Sequence, residues 1–156
     1  MPTDPSRYNT ATSFTVECEF PSGVIMEITS QGRNGILFEG EQGKLFVNRG
    51  SISGNAVEAL ATQPLPADAI ELLYRGKPAS RHAHMANFFA CREARVQPIS
   101  DVYSHHRAMT TCHLANIAIR LGRELKWDPD SQTIVDDQQA QAMQSRQARA
   151  GYELQG

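Results

Sequence analysis

Apolar and polar side chains alternate along the first third of the chain. Val16, Cys18 and Phe20 are separated by Glu17 and Glu19, which is the period of a β-strand that buries one face. Turn-forming residues at positions 21–23 and 31–35 separate this segment from similar ones. The predicted strands are residues 14–20, 24–30, 36–39 and 44–48. Four strands in this order predict an antiparallel meander sheet.

The pattern changes to a helical period in the second half of the chain. Residues 80–95 and 101–121 are predicted helices. Ser100 is the expected N-cap of the longer helix, Asp101 adds favourable negative charge, and Gly122 predicts its end. A short strand at 124–127 and a weakly apolar helix at 136–148 follow. Apolar residues cover most of the longer helix, so we expect it to be mostly buried.

Strands followed by helices predict an α+β fold, in which the helices cover one face of the sheet. The open face is then available for association with a second copy of the chain, through residues 14–48. The alternative is a solvated face, which Thr15, Glu17 and Glu27 would permit. Residues 1–12 are predicted as a flexible arm and residues 13–156 as a single α+β domain.

Composition narrows the function. The 15 Lys and Arg residues against 17 Asp and Glu give a net charge of −2 without a basic stripe, which argues against nucleic acid as a partner. No apolar run approaches the ~20 residues that span a bilayer, so no membrane association is predicted. The first residues contain no secretory signal, and a cytoplasmic location is favoured. Cys18, Cys91 and Cys112 form no C-x-x-C pair and are expected in the core.

A polar stripe on the longer helix supplies the candidate site. His106, His113 and Arg120 fall on this stripe together with Thr110 and Asn116, at about 100° per residue. Such a stripe on a largely apolar helix faces water, a ligand cleft or a partner domain, and the pattern leaves the three open.

The first turns of the same helix add a second group of candidates. His105, His106 and Arg107 offer donors for the hydroxyls or carboxylates of a substrate, or for a neighbouring domain. The alternatives are a solvated N-terminal turn and hydrogen-bond partners that fix the loop at Asp101. No catalytic residue, cofactor-binding residue or metal ligand is predicted. His82 and His84 would point about 200° apart on a helix, and Cys112 and His113 would not face each other.

Several segments resemble the C-terminal domain of the Gfo/Idh/MocA oxidoreductases. They are NFFACREARVQPISDVYSHHRAMTTCHLANIAIRLGRELKWDPD, FPSGVIMEITS, NGILFEGEQGKLFVNRG and QSRQARAGYEL, which together extend over most of the chain from about Phe14. The resemblance implies the substrate-binding and oligomerisation part of an NAD(P)-dependent enzyme that acts on sugars or polyols. It also implies a homo-oligomer formed through the sheet face and a Rossmann domain as partner.

The sequence motifs of the Rossmann domain that such an enzyme contains do not occur in this sequence. No glycine spacing gives G-x-G-x-x-G, and the Glu-Lys-Pro motif that carries the family's catalytic lysine does not occur. NAD(P) is therefore expected to bind a longer parent and not this chain, which is predicted to be inactive alone. The alternatives are a stand-alone carbohydrate-binding or scaffold protein derived from the domain, and a cofactor-independent carbohydrate enzyme.

Overall fold

The structure is a computed structural model that describes Asp4, Ser6, Thr10, residues 11–69, Leu72 and residues 84–153. The described elements are β1 (Thr15–Glu19), β2 (Ile25–Thr29), β3 (Ile36–Gly40), β4 (Gly43–Val47), β5 (Ile52–Ser53), α1 (Asn55–Ala59), α2 (His84–Ala94), α3 (Val102–Leu121), β6 (Trp127–Asp128), β7 (Thr133–Ile134) and α4 (Gln138–Ala142). They fall into two compact units. The first comprises Met1–Gly32 and His106–Gly156, and the second comprises Arg33–His105.

The first unit begins with the antiparallel hairpin of β1 and β2. Val16 pairs with Ile28 and Cys18 with Met26, and these four side chains are half-buried while the glutamates that alternate with them are exposed. Gly23 occupies the turn with a φ of 82°, a conformation that glycine adopts without the steric cost of a Cβ. The predicted alternation therefore produces the predicted hairpin.

Helix α3 confirms the strongest sequence prediction. The carboxylate of Asp101 accepts hydrogen bonds from the backbone N–H groups of Tyr103 and Ser104, at 2.9 and 3.0 Å. Asp101 thus takes the capping role that we expected of Ser100. At the other end Gly122 has a φ of 66°, and its N–H donates to the carbonyl of Ala118 at 2.7 Å.

The core of the first unit lies where α3, the β6–β7 hairpin and α4 meet. Ile117, Ile134 and Ala140 are buried together, and five partly buried side chains pack against them. These five are Leu114, Leu121, Leu125, Trp127 and Met143. The short terminal elements are therefore held by apolar packing onto α3, because helices and hairpins of this length are not stable by themselves.

The second unit contains the three-stranded antiparallel sheet β3–β4–β5 with α1 and α2. Among its described residues Asn87 and Cys91 have fully buried side chains, and the amide oxygen of Asn87 accepts from the backbone N–H of Ile99 at 3.1 Å. In contrast, strand β3 is exposed along its whole length. Its three large apolar side chains, Ile36, Leu37 and Phe38, are 57%, 52% and 54% exposed.

The α+β class and the antiparallel strands are confirmed, but the single meander is wrong. The described strands form three small sheets of two, three and two strands, because alternation predicts a strand without naming its partner. Helix α3 is less buried than expected, with Ala115 and Ile117 as its buried residues. The predicted helix 136–148 shortens to α4. The predicted strand at 124–127 is wrong for residues 124–126, since β6 begins only at Trp127. Positions 80–83 of the other predicted helix lie outside the described residues.

Candidate functional site

A pocket in the first unit gathers part of the predicted polar stripe. Nine described residues line it: Thr110, His113, Leu114, Asn116, Ile117, Trp127, Gln132, Met143 and Gln144. Its volume is about 210 Å³, which is less than the several hundred Å³ typical of sites for drug-sized ligands. The pocket is thus of a size for a single small ring or a short polyol. We call it the Trp127 pocket.

One wall of the Trp127 pocket comes from α3, and helical spacing determines which side chains reach it. Thr110, His113, Leu114 and Ile117 recur at intervals of three and four, which places them on adjoining parts of one helix face. Ile117 is buried and Leu114 is half-buried, so they form the apolar floor. Thr110 and His113 stand at its polar side.

The opposite wall comes from the β6–β7 hairpin and the end of α4. Trp127 is half-buried and belongs to the apolar packing around Ile117, while Gln132 and Gln144 are exposed at the rim. An indole beside polar amides combines a flat apolar surface with hydrogen-bonding groups, as small-molecule sites commonly do.

Several polar groups in the Trp127 pocket are available to a ligand. Among the described residues, the ring nitrogens of His113 and the side-chain amide of Asn116 have no hydrogen-bond partner in the protein. The hydroxyl of Thr110 donates to the carbonyl of His106 at 2.9 Å and keeps its lone pairs as acceptors. A ligand hydroxyl, which both donates and accepts, can pair with each of these groups.

His106 lies next to the pocket and contacts it through Gln132. The Nε2 atom of His106 and the Oε1 atom of Gln132 are 3.3 Å apart, so the imidazole donates from Nε2 when the amide oxygen accepts. Gln132 has a φ of 54°, a left-handed conformation that is uncommon for residues other than glycine and asparagine. The contact therefore joins the polar stripe of α3 to a tight turn of the hairpin.

Polar contacts hold this hairpin and α4 in place. The carboxylate of Asp128 accepts from the hydroxyl of Ser131 at 2.6 Å and from the backbone N–H of Asp130 at 3.0 Å. These bonds, the Ser131 hydroxyl first, lower the pKa of the Asp128 carboxyl. Gln141 adds a bond across the unit, since its amide oxygen accepts from the N–H of Ile134 at 2.7 Å. These hydrogen bonds thus stabilise the hairpin and its contact with α4, which together form this wall of the pocket.

The remaining predicted site residues lie elsewhere. His105 belongs to the second unit, where its Nδ1 atom is 3.0 Å from the carbonyl of Asp101. Arg107 and Arg120 are exposed and line neither of the two pockets described. The structure brings His113 into the Trp127 pocket with His106 beside it, and it leaves His105, Arg107 and Arg120 outside.

A second depression lies in the second unit between α2 and the start of α3. Its lining is His84, Phe88, Gln97, Pro98, Ser100, Asp101, Val102, Tyr103 and His105. The surface is mostly apolar, and the Asp101 carboxylate within it already caps α3. Because more than half of the accessible lining of the Trp127 pocket is polar, the Trp127 pocket is the stronger candidate for a polar ligand.

Comparison with known protein families supplies the wider context. The family model described as the C-terminal alpha/beta domain of an oxidoreductase family matches residues 8–154, which is nearly the whole chain. The chain belongs to the Gfo/Idh/MocA oxidoreductase family. Searches of curated proteins and of solved structures returned no match.

Gfo/Idh/MocA oxidoreductases are typically NAD(P)-dependent, which requires a dinucleotide site in the enzyme. Such a site needs a parallel strand, a glycine-rich turn and a helix whose N-terminus meets the pyrophosphate. All pairings among the described strands are antiparallel, and Gly40 and Gly43 flank the β3–β4 hairpin turn. The described residues therefore do not form a dinucleotide site of the Rossmann type.

The described residues also bear on metal binding, cysteine chemistry and membrane spans. They contain no group of three or more His, Cys, Asp or Glu side chains that could hold a metal ion, and His82 lies outside them.

Cys91 is buried as expected, but Cys112 is exposed and Cys18 half-buried. Burial raises the pKa of the Cys18 thiol, with a smaller effect from Cys112. No helix among these residues is long and apolar enough to cross a membrane.

Sequence reasoning missed the half of the pocket that does not come from α3. Trp127, Gln132, Met143 and Gln144 were not among the predicted site residues of this oxidoreductase-family chain, because their segments carry no periodic pattern. The WDPDSQ stretch offers one usable signal. An aromatic residue followed by Pro, Asp and Ser predicts a tight turn that exposes side chains beside the indole.

Proposed function

We propose that this chain is the substrate-binding and oligomerisation part of an NAD(P)-dependent oxidoreductase that acts on sugars or polyols. The Trp127 pocket is the observation that carries the proposal. Its uncommitted His113 and Asn116 groups beside an indole suit a molecule with an apolar C–H face and a rim of hydroxyls. Family membership supplies the reaction class, the oxidation or reduction of a small substrate.

In this proposal the chain binds and orients the substrate, and a Rossmann domain supplies the cofactor. NAD(P) would accept or deliver the hydride, chemistry that belongs to the cofactor. The described residues of this chain contribute hydrogen bonds from His113 and Asn116 and an apolar surface from Trp127. Fixing the substrate in this way lowers the entropic cost of the reaction in the assembled enzyme. The chain alone would then bind substrate without turning it over.

The proposed oligomer contact lies within residues 14–48 and is supported by exposed apolar side chains. Ile36, Leu37 and Phe38 follow one another on β3, and each is more than half exposed. Strand β3 pairs with β4 on one side and ends its sheet on the other. An exposed, apolar edge strand is prone to association. A second copy of the chain would cover it.

The alternative function is a stand-alone carbohydrate-binding or scaffold protein. It is favoured by one observation, that the Trp127 pocket is complete within a single unit of this chain. Such a protein would bind the same ligands and would need no cofactor domain. The two proposals therefore differ in whether bound ligand is oxidised once a Rossmann domain is present.

The deciding experiment measures NADH formation by absorbance, with a panel of sugars and polyols. One sample contains the chain alone, and the other contains the chain joined to a Gfo/Idh/MocA Rossmann domain. We expect turnover in the joined protein only, with KM raised about tenfold or more by His113→Ala. Turnover by the chain alone would contradict the proposal. Ligand binding by the chain with no turnover by a joined protein that binds NAD would favour the alternative.

A further inference from the structure

We infer that the Trp127 pocket selects neutral polyhydroxylated ligands over their carboxylated or phosphorylated counterparts, and that the indole of Trp127 carries the apolar face of the ligand. This inference rests on the proposed function and adds a charge preference to it. It follows from the chemistry of the lining, from the charges around the hairpin and from the placement of the indole.

The lining contains no formally charged side chain. None of the nine described residues that form it is Lys, Arg, Asp or Glu. A carboxylate or phosphate that entered would lose part of its hydration without meeting a cation, which is costly. A neutral hydroxyl loses less, and it regains hydrogen bonds from the amide of Asn116 and the ring of His113.

The chain segment that forms the hairpin side of the pocket carries negative charge. Between Trp127 and Gln144 the chain contains Asp128, Asp130, Asp136 and Asp137 and no lysine or arginine. Arg123 is bound to Asp137 and Gln139, and with Lys126 and Glu124 included the stretch 123–144 still carries five acidic residues against two basic ones. The net field at this wall therefore opposes an incoming anion.

Arg120 does not reverse this balance in the structure. It lies four residues beyond Asn116 on α3 but is not among the residues that line the pocket. An exposed guanidinium outside the pocket acts through water and salt, which weaken its field. Its effect is tested separately below.

The amide groups also suit hydroxyls better than anions. Asn116, Gln132 and Gln144 each present an oxygen acceptor as well as an N–H₂ donor. An anion accepts hydrogen bonds without donating any, so the amide oxygens would face it with like partial charge. The uncommitted amide of Asn116 can both donate to a polyol and accept from it, whereas the oxygen of Gln132 already pairs with His106 and the N–H₂ of Gln144 already donates to Gln141. The mixture of donors and acceptors thus points to the same ligand class as the charges do.

Trp127 makes the inference directly measurable, because it is the only tryptophan in the chain. Its fluorescence is recorded at low ionic strength while three matched ligands are added: glucose, glucuronate and glucose 6-phosphate. We expect saturable quenching or enhancement by glucose, with affinities about tenfold or more weaker for the two anions. The same titrations with Arg120→Gln measure the contribution of that cation.

Two variants test the residues named. Asn116→Lys places a cation in the lining and is expected to shift the preference toward the anions by about tenfold or more. Asn34→Ala, a change at an exposed asparagine in the other unit, is the control and is expected to change none of the three affinities. Circular dichroism verifies that each variant retains its helical content.

The outcomes distinguish a failure of the charge preference from a failure of the proposed function. If the anions bind as tightly as glucose or more tightly, the charge preference is overturned while the pocket stands as the substrate site. If no sugar of the three and no member of a polyol panel alters the fluorescence, the proposed function fails as well. An unchanged preference in a folded Asn116→Lys protein would show that binding occurs away from this lining and would overturn the inference.

Discussion

Arg123 and Asp137 form a two-pronged ion pair that connects the end of α3 to the start of α4. The Nε and NH2 atoms of Arg123 lie 2.8 and 2.9 Å from the two carboxylate oxygens of Asp137. The same carboxylate accepts from the backbone N–H of Ala140 at 2.9 Å and so caps α4. One aspartate thus fixes the helix that closes the far wall of the Trp127 pocket.

This relationship predicts the effect of breaking the pair. Asp137→Ala removes both the ion pair and the cap, whereas Asp137→Ser keeps a capping oxygen and loses the ion pair. We expect Tm to fall for both variants and to fall further for Asp137→Ala, measured by thermal circular dichroism. Glu153→Ala at an exposed position near the end of the chain is the control. Equal Tm values for Asp137→Ala and the control would contradict the structural role of the pair.

The pH dependence of stability follows from the same carboxylate. The bond from Arg123, with the N–H of Ala140 next, holds the pKa of Asp137 below its ordinary value of 3.8. A carboxyl with a lowered folded-state pKa adds stability that is present above 3.8 and is lost as the pH falls through the folded value. The free energy of unfolding of the wild type, measured by urea titration, should therefore fall as the pH drops below 3.8. Asp137→Asn should show a smaller dependence in that range, and an identical pH profile would contradict the assignment.

The core of the first unit predicts a larger loss of stability. Ile117 is 5% exposed and packs with Ile134 and Ala140. Ile117→Ala should lower the free energy of unfolding by about 2–5 kcal/mol, because it removes buried methyl groups and leaves a cavity. Leu65→Ala, at a side chain 66% exposed, should stay within about 0.5 kcal/mol. Denaturant titration measures both, and similar values for the two variants would contradict the packing described.

The exposed strand β3 predicts how the chain associates. We expect a dimer or tetramer by light scattering, because the apolar side chains on this edge favour contact with a second copy. Leu37→Lys and Phe38→Lys should shift the population toward monomer, since a buried cation opposes the contact. Leu65→Lys, at a similarly exposed apolar position in the same unit, is the matched control. A wild-type monomer at high micromolar concentration would exclude this mode of association.

Sequence periodicity predicted the local elements well and their partners less well. Helix α3 and the β1–β2 hairpin follow from short-range patterns, namely the cap at Asp101, the glycine at 122 and the alternation around Cys18. The division into three small sheets depends on which strands pair, and this is a long-range outcome. The pocket depends on long-range packing too, because Trp127 and Gln132 acquire their role only where the hairpin meets α3.

The central claim is that this chain binds a sugar or polyol but depends on another domain for NAD(P). It is tested most directly by two calorimetric titrations of the chain alone, one with NADH and one with the sugar or polyol that most strongly alters Trp127 fluorescence. The account predicts saturable one-to-one binding of the sugar or polyol and no binding of NADH at micromolar concentrations. Saturable one-to-one binding of NADH, or the absence of any sugar or polyol ligand, would contradict it.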